Sequence, residues 1–487
     1  MSTGNPDLQR DEVQRDSVEP AGPTAASPDG SGYWLEHAWL PSGPARSVRV
    51  RVRDGRFASV EVGVDPEPQD EQIAGLVLPG LANAHSHAFH RALRGRTHTG
   101  DGAGTFWLWR QKMYDLAGRL EPDSYTRLAT AVFAEMAAAG ITCVGEFHYL
   151  HHRPDGTPYP DPNAFGLGLI DASRAAGIRI TLLDTCYLAG GLSADGHSPL
   201  AGPQVRFGDG DVAGWRARVT PPATGPLGAH ARWGAAIHSV RGVPAHALAE
   251  VAAVAAEFDL PLHVHLSEQP AENAAALAYY GRTPTQLLDE AGALGPRVTA
   301  VHATHLSELD IARLGATGTR ICACPTTEAD LADGIGPFPA LAEAGCGLCL
   351  GSDQHAHTDL LAEARRMEEH QRLVSGTRGT FSPAALLQAA TVGGHESLGW
   401  GDAGRIAVGA RADLVGVDLR SVRTAGSEPA QAIMCATAAD VTDVVVDGQR
   451  VVTAGRHRAA PGGDVGRLLA EAIEQTTQDL ETVETAR

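Results

Sequence analysis

Two histidines at the end of a short apolar run are the first residues in this sequence whose types and spacing suggest chemistry. The run 76–84 is followed at once by His85-Ser86-His87. If the run is a buried strand, residues i and i+2 point to the same side, so both imidazoles reach one point in space. Imidazole is the commonest metal ligand in proteins, and the pair therefore predicts half of a zinc-type site. A single pair of this kind also occurs by chance, so the prediction depends on the rest of the chain.

A third candidate ligand, His265, lies near the end of another short apolar run, 261–266. Glu268 follows His265 three residues later. A carboxyl group in this place is expected to carry protons beside a metal ion rather than to bind it. His263 lies on the same face of the run but one layer deeper, which favours a hydrogen-bonded core histidine.

Two further runs lead into residues of the same kind. The run 298–302 ends in His302, which is a better catalytic candidate than His305, because His305 lies where the next helix is predicted to begin. The run 347–352 is followed by Asp353, a carboxylate that can bind a metal and accept a proton from water. Single matches are weak signals, but a set of them on four strand ends predicts one common site.

Eight apolar runs of this type alternate with stretches of helical periodicity between residues 76 and 400. The runs are 76–84, 141–149, 179–187, 234–240, 261–266, 298–302, 320–324 and 347–352. Helical periodicity is clear at 125–139, 244–258 and 306–315. The alternation predicts a (β/α)8 TIM-type barrel of the α/β class, in which functional residues lie at the carboxyl ends of the strands.

Strand patterns also occur near both ends of the chain. Apolar and polar residues alternate over 33–65, with Asp54-Gly55 as a hairpin turn, and strands are predicted again over 411–417 and 441–448, the second followed by the similar stretch 450–455. The two ends are therefore predicted to form one small β-sandwich domain. The predicted division is a disordered N-terminal extension at 1–31, the β-sandwich at 32–75 and 401–463, the barrel at 76–400 and a C-terminal helix at 464–487.

Composition excludes several classes of partner. The formal net charge of −19 argues against nucleic acid or an anionic membrane as the partner. No run of about 18 apolar residues exists, and the N-terminal residues lack a signal-peptide pattern, so we expect a cytoplasmic protein. Seven cysteines in 487 residues do not make a disulfide scaffold. The pairs Cys322 with Cys324 and Cys346 with Cys349 lie in apolar runs, where cysteine is an ordinary core residue.

Lysine usage bears on the number of metal ions. Lys112 is the only lysine among 39 lysine and arginine residues, and it lies outside the apolar runs. A lysine Schiff base, or a modified lysine bridging two metals, would have to use this residue. The fourth run leads into His238 and Arg241 but offers no lysine. One metal ion with three histidines and one aspartate is therefore predicted.

Together these motifs resemble the amidohydrolase superfamily and, within its deaminase branch, the formimidoylglutamate deiminases. The resemblance spans roughly residues 33–460. It is carried by Leu78-Pro79-Gly80 before the histidine pair, His265 with Glu268, His302, and Gly351-Ser352-Asp353. The closer likeness lies in the stretches 85–92, 106–110, 146–149, 238–241 and 324–334.

The resemblance implies hydrolysis of N-formimino-L-glutamate to N-formyl-L-glutamate and ammonia in histidine degradation. It also implies one zinc ion per chain and a homodimer. The implied zinc ligands are His85, His87, His265 and Asp353. The implied catalytic residues are Glu268, which protonates the imino nitrogen, His302, which stabilises the tetrahedral centre, and Asp353, which accepts the proton of the attacking water.

The same resemblance assigns Arg110, Tyr149, His238 and Arg241 to the glutamate part of the substrate. Arginine forks and a phenol suit a dicarboxylate. Without the resemblance, the alternative is that the two arginines form salt bridges at the barrel rim. His90 departs from the family pattern, which usually has a substrate-contacting glutamine at this position. Histidine can also donate a hydrogen bond, so His90 is predicted to contact the substrate and to alter recognition near the metal.

Two other functions are compatible with these motifs. One is a deaminase of the same superfamily that acts on another amidine or on a nitrogen heterocycle. A flat neutral base would not need both Arg110 and Arg241. The other is a metal-binding barrel without catalysis, in which Glu268 and His302 would have no role. A nucleotide-binding enzyme is disfavoured because no glycine-rich nucleotide-binding motif follows a strand.

Overall fold

The computed structural model of the protein describes residues 31–98, 106–224 and 227–484. Of the predicted disordered extension, residues 1–30 lie outside the described residues, whereas Ser31 begins the first strand. The described strands form two eight-stranded sheets and one two-stranded hairpin.

The bounds of the elements are as follows. The strands are β1 Ser31–Leu40, β2 Gly43–Arg53, β3 Arg56–Val62, β4 Glu71–Pro79, β5 Leu81–Ser86, β6 Ile141–His148, β7 Arg179–Cys186, β8 Gly191–Ser193, β9 Gly196–Ser198, β10 Ala231–Ile237, β11 Leu262–Leu266, β12 Val298–His302, β13 Arg320–Ala323, β14 Leu348–Leu350, β15 Leu414–Val417, β16 Val441–Val446, β17 Gln449–Thr453 and β18 Arg456–His457. The α-helices are α1 Phe106–Ala117, α2 Pro122–Ala138, α3 Ala164–Ala176, α4 Val212–Thr224, α5 Ala245–Glu257, α6 Pro270–Tyr280, α7 Pro284–Glu290, α8 Glu308–Thr317, α9 Pro325–Asp330, α10 Phe338–Glu343, α11 Leu360–Ser375, α12 Pro383–Gln388, α13 Gly394–Ser397 and α14 Val465–Glu484.

One of the large sheets is parallel and forms the barrel. Its order is β5, β6, β7, β10, β11, β12, β13 and β14. The two outer strands meet just beyond their carboxyl ends, where the Asp353 N–H donates to the His85 carbonyl at 3.0 Å and the His87 N–H donates to the Asp353 carbonyl at 3.2 Å. The predicted (β/α)8 barrel is confirmed, and its seam passes through three of the predicted metal ligands.

The other large sheet joins the two ends of the chain. Its order is β18, β17, β16, β15, β4, β1, β2 and β3. Val48, Val50 and Val52 of β2 are buried at alternate positions, as the sequence pattern predicts. Asp54 and Gly55, which connect β2 to β3, both have positive φ, 51° and 72°, as a tight hairpin turn requires. A second β-rich domain is therefore confirmed, and its strands form one continuous sheet.

The predicted first barrel strand, 76–84, is wrong as a single element. Residues up to Pro79 belong to β4, which pairs with β1 and β15 in the second sheet, and β5 begins only at Leu81. Gly80 is the one residue between them. A Cβ atom on Gly80 would lie 2.3 Å from the Thr142 hydroxyl oxygen and 2.7 Å from the Asp413 Cβ, so the crossing between sheets leaves room only for glycine.

A buried ion pair connects the two sheets at the opposite end of the barrel from the predicted site. Arg179 begins β7, and its guanidinium binds both carboxylate oxygens of Asp413, one of them at 3.0 Å. Both side chains are almost fully buried. Arg179 also contacts Asp447 at 3.0 Å. This pair links the start of β7 to the residue before β15, and the loss of either member would leave the other charge buried and unpaired.

Helix α14 is the last described element; it packs against α2 and buries Leu469 and Ala472. The predicted helices at 125–139, 244–258 and 306–315 correspond to α2, α5 and α8. Among the described helices, none has the length and apolar character needed to cross a membrane.

Candidate metal and active site

Four predicted ligands meet at the carboxyl end of the barrel. Their donor atoms all lie within 4.8 Å of one another, and all four residues, His85, His87, His265 and Asp353, are buried. His85 Nε2 lies 3.1 Å from His265 Nε2 and 3.2 Å from Asp353 Oδ1. Two nitrogens bound to one tetrahedral zinc ion at about 2.0–2.1 Å would be roughly 3.3 Å apart. The donor set and its spacing therefore fit a zinc ion.

Backbone carbonyls orient two of the imidazoles toward this centre. His87 Nδ1 donates to the Phe147 carbonyl at 2.9 Å, and His265 Nδ1 donates to the His238 carbonyl at 2.8 Å. A carbonyl can only accept, so both hydrogens are on Nδ1 and both Nε2 lone pairs face inward. The tautomers that a metal ion requires are thus set by the strands themselves.

Burial adjusts the charge states of the ligands. It lowers the pKa of His85 and His265, and neighbouring imidazoles lower it further, so both rings are neutral at pH 7. Burial alone would raise the pKa of Asp353, but the nearby His302 and His87 outweigh it and hold the pKa below its usual range. Neutral imidazoles and an ionised carboxylate are the forms that bind a divalent cation.

The predicted acid–base residues lie beside this centre. His302 ends β12, and its Nε2 lies 3.8 Å from Asp353 Oδ2 and 3.9 Å from Glu268 Oε1. Glu268 follows β11, and its other oxygen accepts from the Arg241 guanidinium at 2.8 Å. Burial lowers the pKa of His302, but the carboxylates of Glu328, Glu268 and Asp353 outweigh this effect and raise the pKa to about 10.

Several residues at these strand ends have left-handed backbone conformations. The φ angles are 50° at Ser267, 67° at His302 and 46° at Asp353. Residues other than glycine rarely adopt such angles, and each costs about 1–3 kcal/mol unless the surrounding structure enforces it. The chain turns sharply here, and the turn aims the functional side chains across the mouth of the barrel.

A cavity of about 310 Å³ opens above the metal centre. His87, His265, Glu268 and Asp353 form part of its lining. The five predicted substrate residues all line it as well: His90, Arg110, Tyr149, His238 and Arg241. The structure thus brings every predicted substrate residue to one cavity beside the predicted metal ligands.

The contacts of these residues show what holds each in place. His90 Nε2 and the Tyr149 hydroxyl are hydrogen-bonded at 2.9 Å. Arg110 Nε donates to the Tyr114 hydroxyl at 2.7 Å. The ring of His238 packs on Tyr187, with ring centroids 4.1 Å apart.

Arg241 serves two buried carboxylates in this structure. It binds Glu268 at 2.8 Å, and its Nε lies 3.6 Å from Glu272. Arg241 therefore does form an ion pair within the protein, which was the alternative to substrate binding. The guanidinium nevertheless lines the cavity, so a substrate carboxylate can approach it.

Two other predictions concern residues around the site. His263 is fully buried, and its Nε2 donates to the Ser397 carbonyl at 3.1 Å, which confirms a core histidine. His305 does not open the next helix as predicted, because α8 begins at Glu308. Cys322, Cys324 and Cys349 form a small buried cluster and are free thiols, in agreement with the core interpretation.

Sequence reasoning missed a buried carboxylate beneath the histidine pair. Glu146 accepts hydrogen bonds from the Ser86 hydroxyl and the Ala88 N–H, both at 2.6 Å, and from the Tyr125 hydroxyl at 3.1 Å. It thereby holds the residues on either side of His87. Burial raises the pKa of Glu146 to about 8. Its place at the end of β6 was the available signal.

The hairpin β8–β9 was also missed, although it forms one wall of the cavity. Gln204 connects this wall to the aromatic residues opposite. Its amide nitrogen, which has two hydrogens to donate, lies 2.9 Å from the Gly190 carbonyl oxygen, 3.0 Å from the Tyr114 hydroxyl and 3.3 Å from the Tyr187 hydroxyl. No local sequence motif predicts the hairpin or the contacts of Gln204, because only the fold brings these residues together.

Metal analysis of purified protein tests the ligand set. We expect about one equivalent of a divalent metal per chain and a small fraction of this amount in the His265→Ala variant. The matched control is His263→Asn, two residues earlier on the same face of β11, which should keep its metal because His263 bonds to Ser397 instead. Equal metal content in wild type and His265→Ala would contradict the assignment.

The fold is thus a (β/α)8 barrel with a buried cluster of three histidines and one aspartate at its carboxyl end. The model of the Amidohydrolase family matches residues 76–451. The chain belongs to the amidohydrolase family, whose members depend on metal, and it is a hydrolase acting on carbon–nitrogen bonds. The predicted resemblance is thereby confirmed.

Individual relatives give a finer comparison. A formimidoylglutamate deiminase of Pseudomonas aeruginosa is 36% identical over 441 residues, which cover 88% of this chain and 96% of the relative. An 8-oxoguanine deaminase of the same organism is 30% identical over 434 residues, covering 87% and 92%. A crystal structure of an amidohydrolase from Brucella melitensis has a TM-score of 0.81 and 31% identity, covering 92% and 99%. An adenosine deaminase from Xanthomonas campestris with bound zinc has a TM-score of 0.78 and 25% identity, covering 94% and 100%.

Proposed function

We propose that this enzyme hydrolyses N-formimino-L-glutamate to N-formyl-L-glutamate and ammonia, as a step of histidine degradation. The observation that carries the proposal is that Arg110 and Arg241 line the same cavity as Glu268 and three of the four candidate metal ligands. The Pseudomonas aeruginosa relative named for this activity supports it. Two guanidinium groups match a substrate with two carboxylates.

One zinc ion per chain is part of the proposal. The ligands are the three imidazoles and the carboxylate described above, and their spacing fits zinc. When bound, the ion acidifies water, so that hydroxide is available for attack at neutral pH.

The residues around the formimino carbon handle protons in a fixed order. Asp353 takes one proton from the attacking water, and Glu268 gives a proton to the imino nitrogen as the carbon becomes tetrahedral. His302 Nε2 stabilises the oxygen of this tetrahedral centre. Asp353 then passes its proton to the same nitrogen, the carbon–nitrogen bond breaks and ammonia leaves. The remaining hydroxyl proton restores Glu268, and N-formyl-L-glutamate is released.

His90 is proposed to contact the substrate near the metal. Its ring lies 4.6 Å from that of His87, centroid to centroid, and its Nε2 is bonded to Tyr149. Since the formimidoylglutamate deiminases usually have glutamine here, His90 can narrow or shift the choice of substrate.

A substrate panel tests the proposed function directly. Purified, metal-loaded protein is incubated with N-formimino-L-glutamate, N-formimino-L-aspartate and 8-oxoguanine, and ammonia and the deaminated product are measured. We expect ammonia and N-formyl-L-glutamate in equal amounts and no turnover of the neutral heterocycle. Turnover of 8-oxoguanine without turnover of the formimino amino acids would refute the proposal and favour a heterocycle deaminase.

Arg110→Met is expected to raise KM for N-formimino-L-glutamate roughly 10- to 100-fold, since it removes a charge-assisted hydrogen bond to a substrate carboxylate. The kcat should change little, because the contact is present in both ground and transition states. Steady-state kinetics measure both constants. The control is Arg119→Met, an exposed arginine just beyond the same helix and outside the cavity. An unchanged KM for Arg110→Met would show that this side chain does not bind substrate.

A homodimer and a cytoplasmic location remain predictions. Sedimentation equilibrium of the purified protein would measure the first, and fractionation of cells that express it would measure the second.

A further inference from the structure

Glu328 is a buried carboxylate beside the active site to which the reaction described above gives no role. It lies in the short helix α9, directly after β13, and it is 1% exposed. Its Oε1 accepts from the Cys324 N–H at 2.8 Å and lies 3.5 Å from His302 Nδ1. Among the described residues, neither nitrogen of the His302 ring has a hydrogen-bond partner at ordinary geometry. The same holds for Glu328 Oε2.

The two nitrogens of His302 face different groups. Nδ1 faces Glu328, whereas Nε2 faces Glu268 Oε1 at 3.9 Å and Asp353 Oδ2 at 3.8 Å. The ring itself is stacked on His265, with centroids 5.7 Å apart. A half-turn of the ring would place carbon atoms where the nitrogens now lie. Some group must therefore hold the ring in the one orientation that presents Nε2 to the reacting centre.

We propose that Glu328 is a positioning residue that accepts the Nδ1–H of His302 and thereby directs Nε2 toward the substrate. A carboxylate behind a catalytic imidazole holds the Nδ1–H and fixes the ring orientation in this way. This positioning role rests on the proposed function in one respect only: the kinetic test below uses N-formimino-L-glutamate as the substrate. It requires no contact between Glu328 and the substrate.

Two other roles for Glu328 make different predictions. It could merely hold helix α9, since it accepts the Cys324 N–H. It could also bind a second metal, because one donor atom each from His302, Cys324 and Glu328 lies within 4.8 Å of the others. A positioning role differs from the first in acting through His302, and from the second in leaving the metal content at one equivalent.

The spectroscopic test does not depend on the substrate. Protein labelled with ¹⁵N-histidine and loaded with zinc is examined by NMR for the imidazole N–H resonances. One downfield Nδ1–H signal should be absent from His302→Asn, which assigns it to His302. In Glu328→Gln this signal should shift upfield or exchange with water, since the anionic acceptor is gone. A signal that is unchanged in Glu328→Gln would overturn the proposal, whether or not formiminoglutamate is the substrate.

The kinetic test is a double-mutant cycle. We expect Glu328→Gln to lower kcat about tenfold or more with little change in KM, and the same substitution to have less than about a twofold effect in the His302→Asn background. Equal losses in the two backgrounds, or loss of a second metal equivalent in Glu328→Gln, would overturn the positioning role. Absence of wild-type turnover would refute the proposed function and leave the NMR result to decide on Glu328.

Glu363→Gln is the matched control. Glu363 is a second buried glutamate that holds the same helix, since it accepts from the Thr326 N–H at 2.9 Å and from the Thr326 hydroxyl. The described contacts of its side chain do not include His302. It should leave both the His302 signal and kcat close to wild type, and a loss as large as that of Glu328→Gln would show that the effect comes from the helix rather than from the imidazole.

Discussion

Glu268→Gln should lower kcat for N-formimino-L-glutamate roughly 10²- to 10⁴-fold, the range that a positioned proton carrier contributes. The amide cannot deliver the proton that the imino nitrogen needs, yet it has nearly the same shape. Its oxygen can still accept from Arg241, which binds Glu268 at 2.8 Å in the wild type. The fold and the bound metal should therefore persist, and the loss should fall on the chemical step.

The measurement is ammonia release under single-turnover conditions, with metal content and thermal melting recorded on the same samples. Glu363→Gln provides a control, because it replaces another buried glutamate that lies outside the cavity. A kcat within threefold of wild type for Glu268→Gln, with one metal bound, would remove this residue from the mechanism.

Arg179→Met should lower the free energy of unfolding by about 3–5 kcal/mol, the cost of leaving one member of a buried ion pair without its partner. Asp413 is 1% exposed and would retain the Thr142 hydroxyl at 3.2 Å, the Asp447 N–H at 3.0 Å and the more distant His395 Nε2 at 3.9 Å, none of which carries the permanent charge of a guanidinium. Urea unfolding followed by circular dichroism measures the change. The exposed pair of Arg282 and Glu290 offers a control, because Arg282→Met should leave the midpoint nearly unchanged.

Two further comparisons sharpen this second prediction. The double variant Arg179→Met with Asp413→Leu should recover part of the loss, because no unpaired charge remains buried.

Burial alone would raise the pKa of Asp413, but Arg179 outweighs it and holds the pKa below its usual range. The stability from this pair is therefore present above about pH 4, the unfolded value of an aspartate, and is lost as pH falls through the folded value. A single variant as stable as wild type would show that the pair contributes nothing.

Much of the site could be predicted because the carboxyl ends of all eight barrel strands lie on one face of the barrel. His265 and His302 are far apart in the chain, but each lies at the carboxyl end of a strand, and all such ends meet. Short apolar runs identify the strands, so the residues at their ends identify the site. The candidate metal ligands and acid–base residues, which the structure brings together, could therefore be named from the sequence.

What could not be predicted depends on packing across the barrel. Gln204 and Glu328 lie in short helices outside the barrel strands, and no spacing in the sequence relates them to His87 or His302. The division of 76–84 into two strands was hidden for a similar reason. Both halves are apolar and buried, and only the crowding around Gly80 shows that the chain changes sheets there.

That crossing has a consequence for how far the enzyme can be taken apart. One residue, Gly80, separates the sheet built from the two chain ends from β5, which contains the candidate ligand His85 and ends one residue before His87. Separating the domains at Gly80 would remove β4 from the residue before β5. It would also remove Asp413, the partner of Arg179 at the start of β7. The two domains are therefore not separable modules, and we expect attempts to express the barrel alone, or to graft it onto another partner domain, to yield protein that cannot retain metal.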